Sequence, residues 1–152
     1  MINTTLCYIE KDGAYLMMHR IKKQNDINRD KWVGIGGKFC EGETPFECAK
    51  REIKEETGLT ATRLLYRGIV TFVSSEFGTE YMHLFTCKDF SGTIKPDCDE
   101  GRLEWVKIKD VYSLPLWQGD KIFLELLEKD APFFSLKLVY QGEKLVEHKL
   151  EY

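Results

Sequence analysis

No uninterrupted apolar stretch in this chain approaches the roughly eighteen residues needed to cross a bilayer. The N-terminus, MINTTLCYIEKDG, meets charge early and has no basic lead, apolar core or small-residue cleavage site. Membrane and secretory classes are set aside, and the expectation is a cytoplasmic protein. A basic excess is missing too. Lys and Arg number 22 against 25 Asp and Glu, a net charge of −3, so no strong positive field favours a nucleic-acid polymer or a membrane as partner. The five cysteines (Cys7, Cys40, Cys48, Cys87 and Cys98) include no C-x-x-C pair and no zinc spacing, and read as reduced packing residues. For Cys40, beside an acidic segment, reactivity is the alternative. Repeats, low-complexity blocks and linkers are absent, and neither G-x-x-x-x-G-K-[ST] nor G-x-G-x-x-G occurs, which argues against a P-loop or dinucleotide fold.

What is present suits one domain of 152 residues, 43% hydrophobic, with enough apolar mass for a real core. Thr4 to Ile9 and Ala14 to His19 read as strands joined by the hairpin signal Asp12-Gly13. The polar run Arg20 to Lys31 has no hydrophobic period and reads as a loop able to reach over a site, before Trp32 to Ile35 turns apolar again. Further on, LLYRGIVTFVSS, TEYMHLFTC and RLEWVKI continue a sheet, and Lys109 to Tyr112 is at most one helical turn. Asp120 to Lys129 carries Ile122, Phe123, Leu126 and Leu127 at helical spacing, and FFSLKLVY and LVEHKLEY form a terminal hairpin. The pattern is a mixed, layered α/β domain.

The most informative segment is GGKFCEGETPFECAKREIKEETGL, Gly36 to Leu59. Thr44, Pro45 and Glu47 form a capping box with proline at the first helical position, and Gly58 suits the left-handed residue past the end. Phe46, Ala49 and Ile53 mark the buried stripe. At about 100° per residue, Glu52, Glu55 and Glu56 share one arc of the helix, a quarter-turn from that stripe. A solvated polar face is the ordinary fate of such charges, but it fits poorly here. Glu pairs three and four apart repel by roughly 0.2–0.5 kcal/mol each, and carboxylates near a helix C-terminus oppose the macrodipole by roughly 0.3–1 kcal/mol. A divalent cation, Mg²⁺ or Mn²⁺, would relieve that crowding, and such a cation binds phosphate as well. Upstream, Gly36 and Gly37 let the backbone approach a ligand and Lys38 offers a charge to phosphate.

Gly37, Glu43, Arg51-Glu52-Ile53, Glu55-Glu56 and Gly58-Leu59, in that spacing, resemble a complete Nudix box, residues 37–59. The resemblance implies a single Nudix domain over residues 1–152, an α/β/α sandwich with a mixed β-sheet, and Mg²⁺-dependent hydrolysis of a nucleoside diphosphate linked to another group. It implies that Glu52, Glu55 and Glu56 hold metal with the Gly36 carbonyl, and that Arg51 and Glu43 brace the loop against the helix. DKWVGIGGKFCEGET, DEGRLEWV, LPLWQGDKIF and the terminal hairpin are similar in kind and order to the MutT-type 8-oxo-dGTP diphosphatases. In that likeness Glu100 is an outlying carboxylate that reaches metal or the attacking water, Trp117 stacks on the purine, Asp120 bonds the base edge, and Arg20 and Phe72 line the pocket. The alternatives are rim packing for Trp117 and a helix N-cap for Asp120. Val33 stands where the human-type enzyme has asparagine, and Gly119 where it has the first of two aspartates.

The expected chemistry is cleavage of a nucleoside triphosphate to monophosphate and pyrophosphate, with Glu52, Glu55 or Glu100 as general base. Sanitising of oxidised purine nucleotides is the leading reading. Its rivals are a Nudix pyrophosphohydrolase for another substrate and a module that senses nucleotide without cleaving it. The partner expected is a small-molecule nucleotide, on a monomer or homodimer. His19, His83 and His148 read as structural.

Overall fold

The computed structural model describes residues 1–22, 26–96 and 98–152, so the middle of the Arg20–Lys31 loop lies outside the described residues. Among the described residues, eight strands and three helices follow in the order β1 (Ile2–Lys11), β2 (Ala14–His19), β3 (Trp32–Val33), α1 (Pro45–Thr57), β4 (Thr60–Ser74), β5 (Gly78–Ser91), β6 (Arg102–Lys107), α2 (Ile108–Val111), α3 (Asp120–Glu128), β7 (Phe134–Gln141) and β8 (Lys144–Glu151).

The strands hydrogen-bond in the order β3-β2-β1-β5-β4-β7-β8, with β6 along β2. β1/β5 and β4/β7 are parallel and the other pairs antiparallel, so the sheet is mixed as expected. The Asp12-Gly13 turn forms, but its two strands pair over only two positions before diverging. β1 then follows β5, while β2 follows β6 along its whole length. Hydrophobic alternation assigns the two faces. Cys7, Ile9, Leu16, Met18, Phe85 and Cys87 point to the side covered by Ala49 and Ile53 of α1. Tyr8, Tyr15, Met17 and Leu84 point to the side covered by Phe123 and Leu127 of α3. A sheet buried on both faces between two helices is the expected α/β/α sandwich.

α1 begins and ends as its sequence dictates. Thr44 and Glu47 exchange capping-box hydrogen bonds of 3.1 and 2.9 Å, Pro45 opens the helix, and Gly58 closes it at φ 82°. The stripe needs correction at one position: Ala49 and Ile53 are buried, but Phe46 is 40% exposed and rests edge-on against Tyr66 and Phe85. Cys48 and Thr57 fill the inner face instead. β4 and β5 run longer than their apolar cores suggested, because ladder pairing carries polar residues at both ends and absorbs three register shifts.

Candidate functional site

The segment after β3 does not leave the sheet. It runs antiparallel to β1, with hydrogen bonds from Cys7 N to Ile35 O (2.6 Å), Thr5 N to Gly37 O (2.9 Å) and Phe39 N to Asn3 O (3.1 Å). The contact is so close that a β-carbon on Gly36 would stand 1.8 Å from the Thr5 carbonyl oxygen, and one on Gly37 would stand 2.6 Å from the Glu52 carboxyl carbon. Glycine at 37 therefore lets the Glu52 carboxylate lie against the loop backbone.

Arg51 locks that arrangement. Its guanidinium forks onto Glu43 at 2.6 and 2.9 Å, donates to the Lys38 carbonyl at 3.0 Å, and reaches Glu52 at 2.8 Å and Glu55 at 3.1 Å. The pairing with Arg51 holds the Glu43 carboxyl down at about 2, helped by the Cys40 amide, and Glu43 in turn raises Arg51. The sequence-level pair Arg51 and Glu43 is thus in contact, tying loop to helix.

The remaining carboxylates are under electrostatic stress. Burial raises Glu52, opposed by Arg51 and reinforced by Glu55 and Glu100. Glu56 is 7% exposed, and its Oε2 is sealed from solvent without a hydrogen-bond donor among the described residues. Burial, then the adjoining Glu100 carboxyl, then Glu52 push Glu56 up to about 10. Among the described residues no three His, Cys, Asp or Glu side chains already converge as a formed metal cluster, and Arg51 pairs with both Glu52 and Glu55. The donor set still fits a hard divalent cation. It offers several carboxylates, one of them buried and orphaned, and carboxylate oxygens are the ligands such an ion takes.

One cavity of about 1000 Å³ gathers the other predicted residues. Gly36, Gly37, Lys38, Arg51, Glu52 and Glu100 line one part of it, and Phe72, Trp117 and Asp120 another, with Arg20 also on the wall. Glu43, Glu55 and Glu56 do not line it. Arg20 donates to Asp26 at 2.6 Å and to Glu100 at 3.3 Å, so it straps the 20–31 loop to the Glu100 segment. Trp117 is only 5% exposed. Its indole N–H donates to Asn28 Oδ1 at 2.7 Å, it meets Phe72 and Tyr140 edge-on, and the Lys31 ammonium lies 4.9 Å from its centroid. It is a packed wall that still borders the cavity.

Asp120 is not the helix N-cap. Gly119 holds that place in helical geometry with no side-chain cap bond, and Asp120 is the first helical residue, 5% exposed and facing the cavity. Burial raises it to about 8, with Lys31 opposing and Glu80 adding to the shift. Gly119 has its own constraint. A β-carbon there would meet Leu138 at 2.5 Å and the Tyr140 hydroxyl at 2.7 Å, and that hydroxyl accepts the Gly119 N–H at 2.7 Å. A second aspartate has no room at 119 in this chain.

Comparison with known proteins decides the family. A model described as the NUDIX domain matches residues 2–127. The chain belongs to the Nudix family. It is 32% identical over 151 residues to the oxidized purine nucleoside triphosphate hydrolase of Danio rerio, covering 97% of this chain and 92% of that protein. It is 26% identical to the Nudix hydrolase YvcI of Bacillus subtilis, with the same coverage. The crystal structure of a MutT protein from Bacillus halodurans superposes with a TM-score of 0.88 at 26% identity, covering 99% of this chain and 98% of that one. The protein is accordingly a Nudix hydrolase acting on pyrophosphate bonds.

Within this Nudix site the sequence reading passed over Thr4, Asn28, Lys31, Glu80 and Tyr140. Four of them have no sequence signal, since their roles arise from contacts between distant segments. Glu80 had one. In TEYMHLF, residues 80, 82 and 84 alternate toward the α3 side, and a carboxylate heads an otherwise apolar face.

Proposed function

We propose that this protein is a Mg²⁺-dependent hydrolase of purine nucleoside triphosphates, releasing monophosphate and pyrophosphate, with oxidised purines such as 8-oxo-dGTP as the leading substrates. The observation that carries this reading is the shared cavity: it borders Glu52, Glu100 and the Gly36-Gly37-Lys38 backbone as well as the aromatic, carboxylate-bearing walls of Phe72, Trp117 and Asp120. Its volume suits a nucleotide. The 32% identity to an oxidized purine nucleoside triphosphate hydrolase supports the base class.

In this reading the phosphates lie against Gly37 and Lys38, whose ammonium neutralises part of their charge. Phe72 and Trp117 wall the base, and Asp120 meets its edge. Glu52, Glu55, Glu56 and Glu100, with the Gly36 carbonyl, are the residues that would hold Mg²⁺ or Mn²⁺. When bound, such an ion offsets the charge developing on phosphate and acidifies water. Water attacks phosphorus, a P–O bond to the pyrophosphate breaks, and the proton passes to a carboxylate. Of the three candidate bases Glu52 and Glu100 border the cavity and Glu55 does not, and a base must lie within hydrogen-bond reach of its water.

The test is pyrophosphate release from 8-oxo-dGTP, dGTP and other triphosphates with and without Mg²⁺, together with thermal melting of Glu56→Gln. The variant is expected to lose turnover by orders of magnitude, to melt no lower than wild type without metal, and to lose the melting shift that Mg²⁺ gives wild type. Near-normal turnover in Glu56→Gln would remove the metal assignment. A wild-type ratio near one for 8-oxo-dGTP over dGTP would remove the sanitising role and leave a general nucleotide pyrophosphohydrolase.

A further inference from the structure

The position closed to a second aspartate at 119 leaves Asp120 without an adjacent carboxylate from its own helix, yet a carboxylate reaches the same region of the cavity from the sheet. Glu80 on β5 stands directly across from Phe72 on β4 in the ladder register, so the two side chains rise on one face. Both border the cavity together with Asp120. Thr4, itself 8% exposed, donates its hydroxyl to Glu80 Oε2 at 2.7 Å, which fixes the carboxylate and leaves Oε1 and the remaining lone pairs as acceptors. Lys31, whose charge acts on Asp120, is ion-paired with Glu143 and lies over the Trp117 ring. The base end of the cavity thus sets an anchored carboxylate, Glu80, beside Asp120, whose carboxyl burial keeps protonated up to about pH 8.

A carboxylic acid both donates and accepts, so Asp120 can meet N1 and the 6-substituent of adenine or of guanine, and the 2-position is left to discriminate. Adenine and hypoxanthine carry only C–H there. A guanine-type base presents a 2-amino group, whose N–H turns toward an acceptor. We propose that Glu80, anchored by Thr4, accepts from this 2-amino group beside Asp120 and makes the enzyme selective for purines that carry it. The inference rests on the nucleotide-hydrolase reading above but not on oxidation at C8, since guanine and 8-oxoguanine share the edge.

The 2-amino group can be removed without touching the rest of the base, by comparing dGTP with dITP. Wild-type kcat/KM should favour dGTP over dITP by about 10-fold or more, the scale of a lost hydrogen bond to a charged group. Glu80→Gln keeps the side-chain shape and the oxygen facing Thr4 but replaces acceptors with donors; it should bring that ratio to within about 3-fold, chiefly through KM, while dITP turnover survives. Glu80→Ala should collapse the same ratio. If Glu80 only braces β1 against β5 through Thr4, both substrates would lose activity equally and the ratio would stay, which overturns the proposal. Binding of dGMP and dIMP by calorimetry is the second arm. A guanine preference in wild type that Glu80→Ala erases supports the role of Glu80 even if triphosphate turnover fails, whereas equal binding of the two by wild type overturns it.

Discussion

Gly36 and Gly37 are neighbours, yet alanine at each should do opposite things. At 36 the added carbon would stand 1.8 Å from the Thr5 carbonyl oxygen and 2.6 Å from its carbon, both backbone atoms that cannot turn aside. The ribbon must separate from β1, straining the packing and weakening the Cys7–Ile35 and Thr5–Gly37 hydrogen bonds. Overpacking together with one or two such bonds amounts to about 2–5 kcal/mol. For a domain of this size that is a melting decrease on the order of 10 °C. At 37 the three atoms nearest the carbon all belong to the end of the Glu52 side chain, with the carboxyl carbon and Oε1 both at 2.6 Å. Glu52 can swing away for about 0.5–1.5 kcal/mol of rotamer strain, offset by about 0.4–1 kcal/mol from the stiffer unfolded chain. Gly37→Ala should therefore stay within about 1 kcal/mol of wild type. Its catalysis should fall on the order of 100-fold, because a carboxylate displaced by about 1 Å no longer meets its partners. Urea unfolding and pyrophosphate release on both variants make the check. A stable Gly36→Ala, or a Gly37→Ala with normal turnover, would refute the reasoning that the ribbon is held by backbone and the site by Glu52.

Two further outcomes follow from burial. Asp120 keeps its proton to about pH 8 in the folded chain and releases it near pH 4 when unfolded, so between those values the folded state binds more protons and stability falls as pH rises, by up to about 1.4 kcal/mol per unit. Unfolding curves of metal-free wild type and Asp120→Asn at pH 5 and 7.5 should diverge on that account, and parallel pH trends would contradict it. The bond from Trp117 to Asn28 ties the 20–31 loop to the aromatic wall, so Trp117→Phe and Asn28→Ala should be non-additive by about 1 kcal/mol in a double-mutant cycle read by unfolding. Simple additivity would mean that the loop does not depend on this bond.

Local chemistry explains why so much was legible in the chain. Thr44, Pro45, Glu47 and Gly58 specify the ends of α1 through short-range hydrogen bonds and backbone preferences, and each appears where the sequence places it. Thr4 to Ile9 and Ala14 to His19 likewise read as strands from their residue types, and both lie within strands of the sheet. The grouping of Glu52, Glu55 and Glu56 needed only helix geometry. What the sequence could not decide were distances between segments remote in the chain. Only the folded sheet puts Glu80 beside Phe72 and Thr4, sets Asn28 against Trp117, and brings Glu56 against Glu100. Asp120 shows the division most clearly. Its position before an apolar helix suggests a cap, and local preference would allow one, but the packing of Gly119 against Leu138 and Tyr140 draws residue 119 into the cap position and turns the carboxylate into the cavity. Tertiary contacts of that kind outweigh the roughly 0.5–2 kcal/mol that a cap contributes, so local pattern determined the elements and long-range packing decided which side chains became the site.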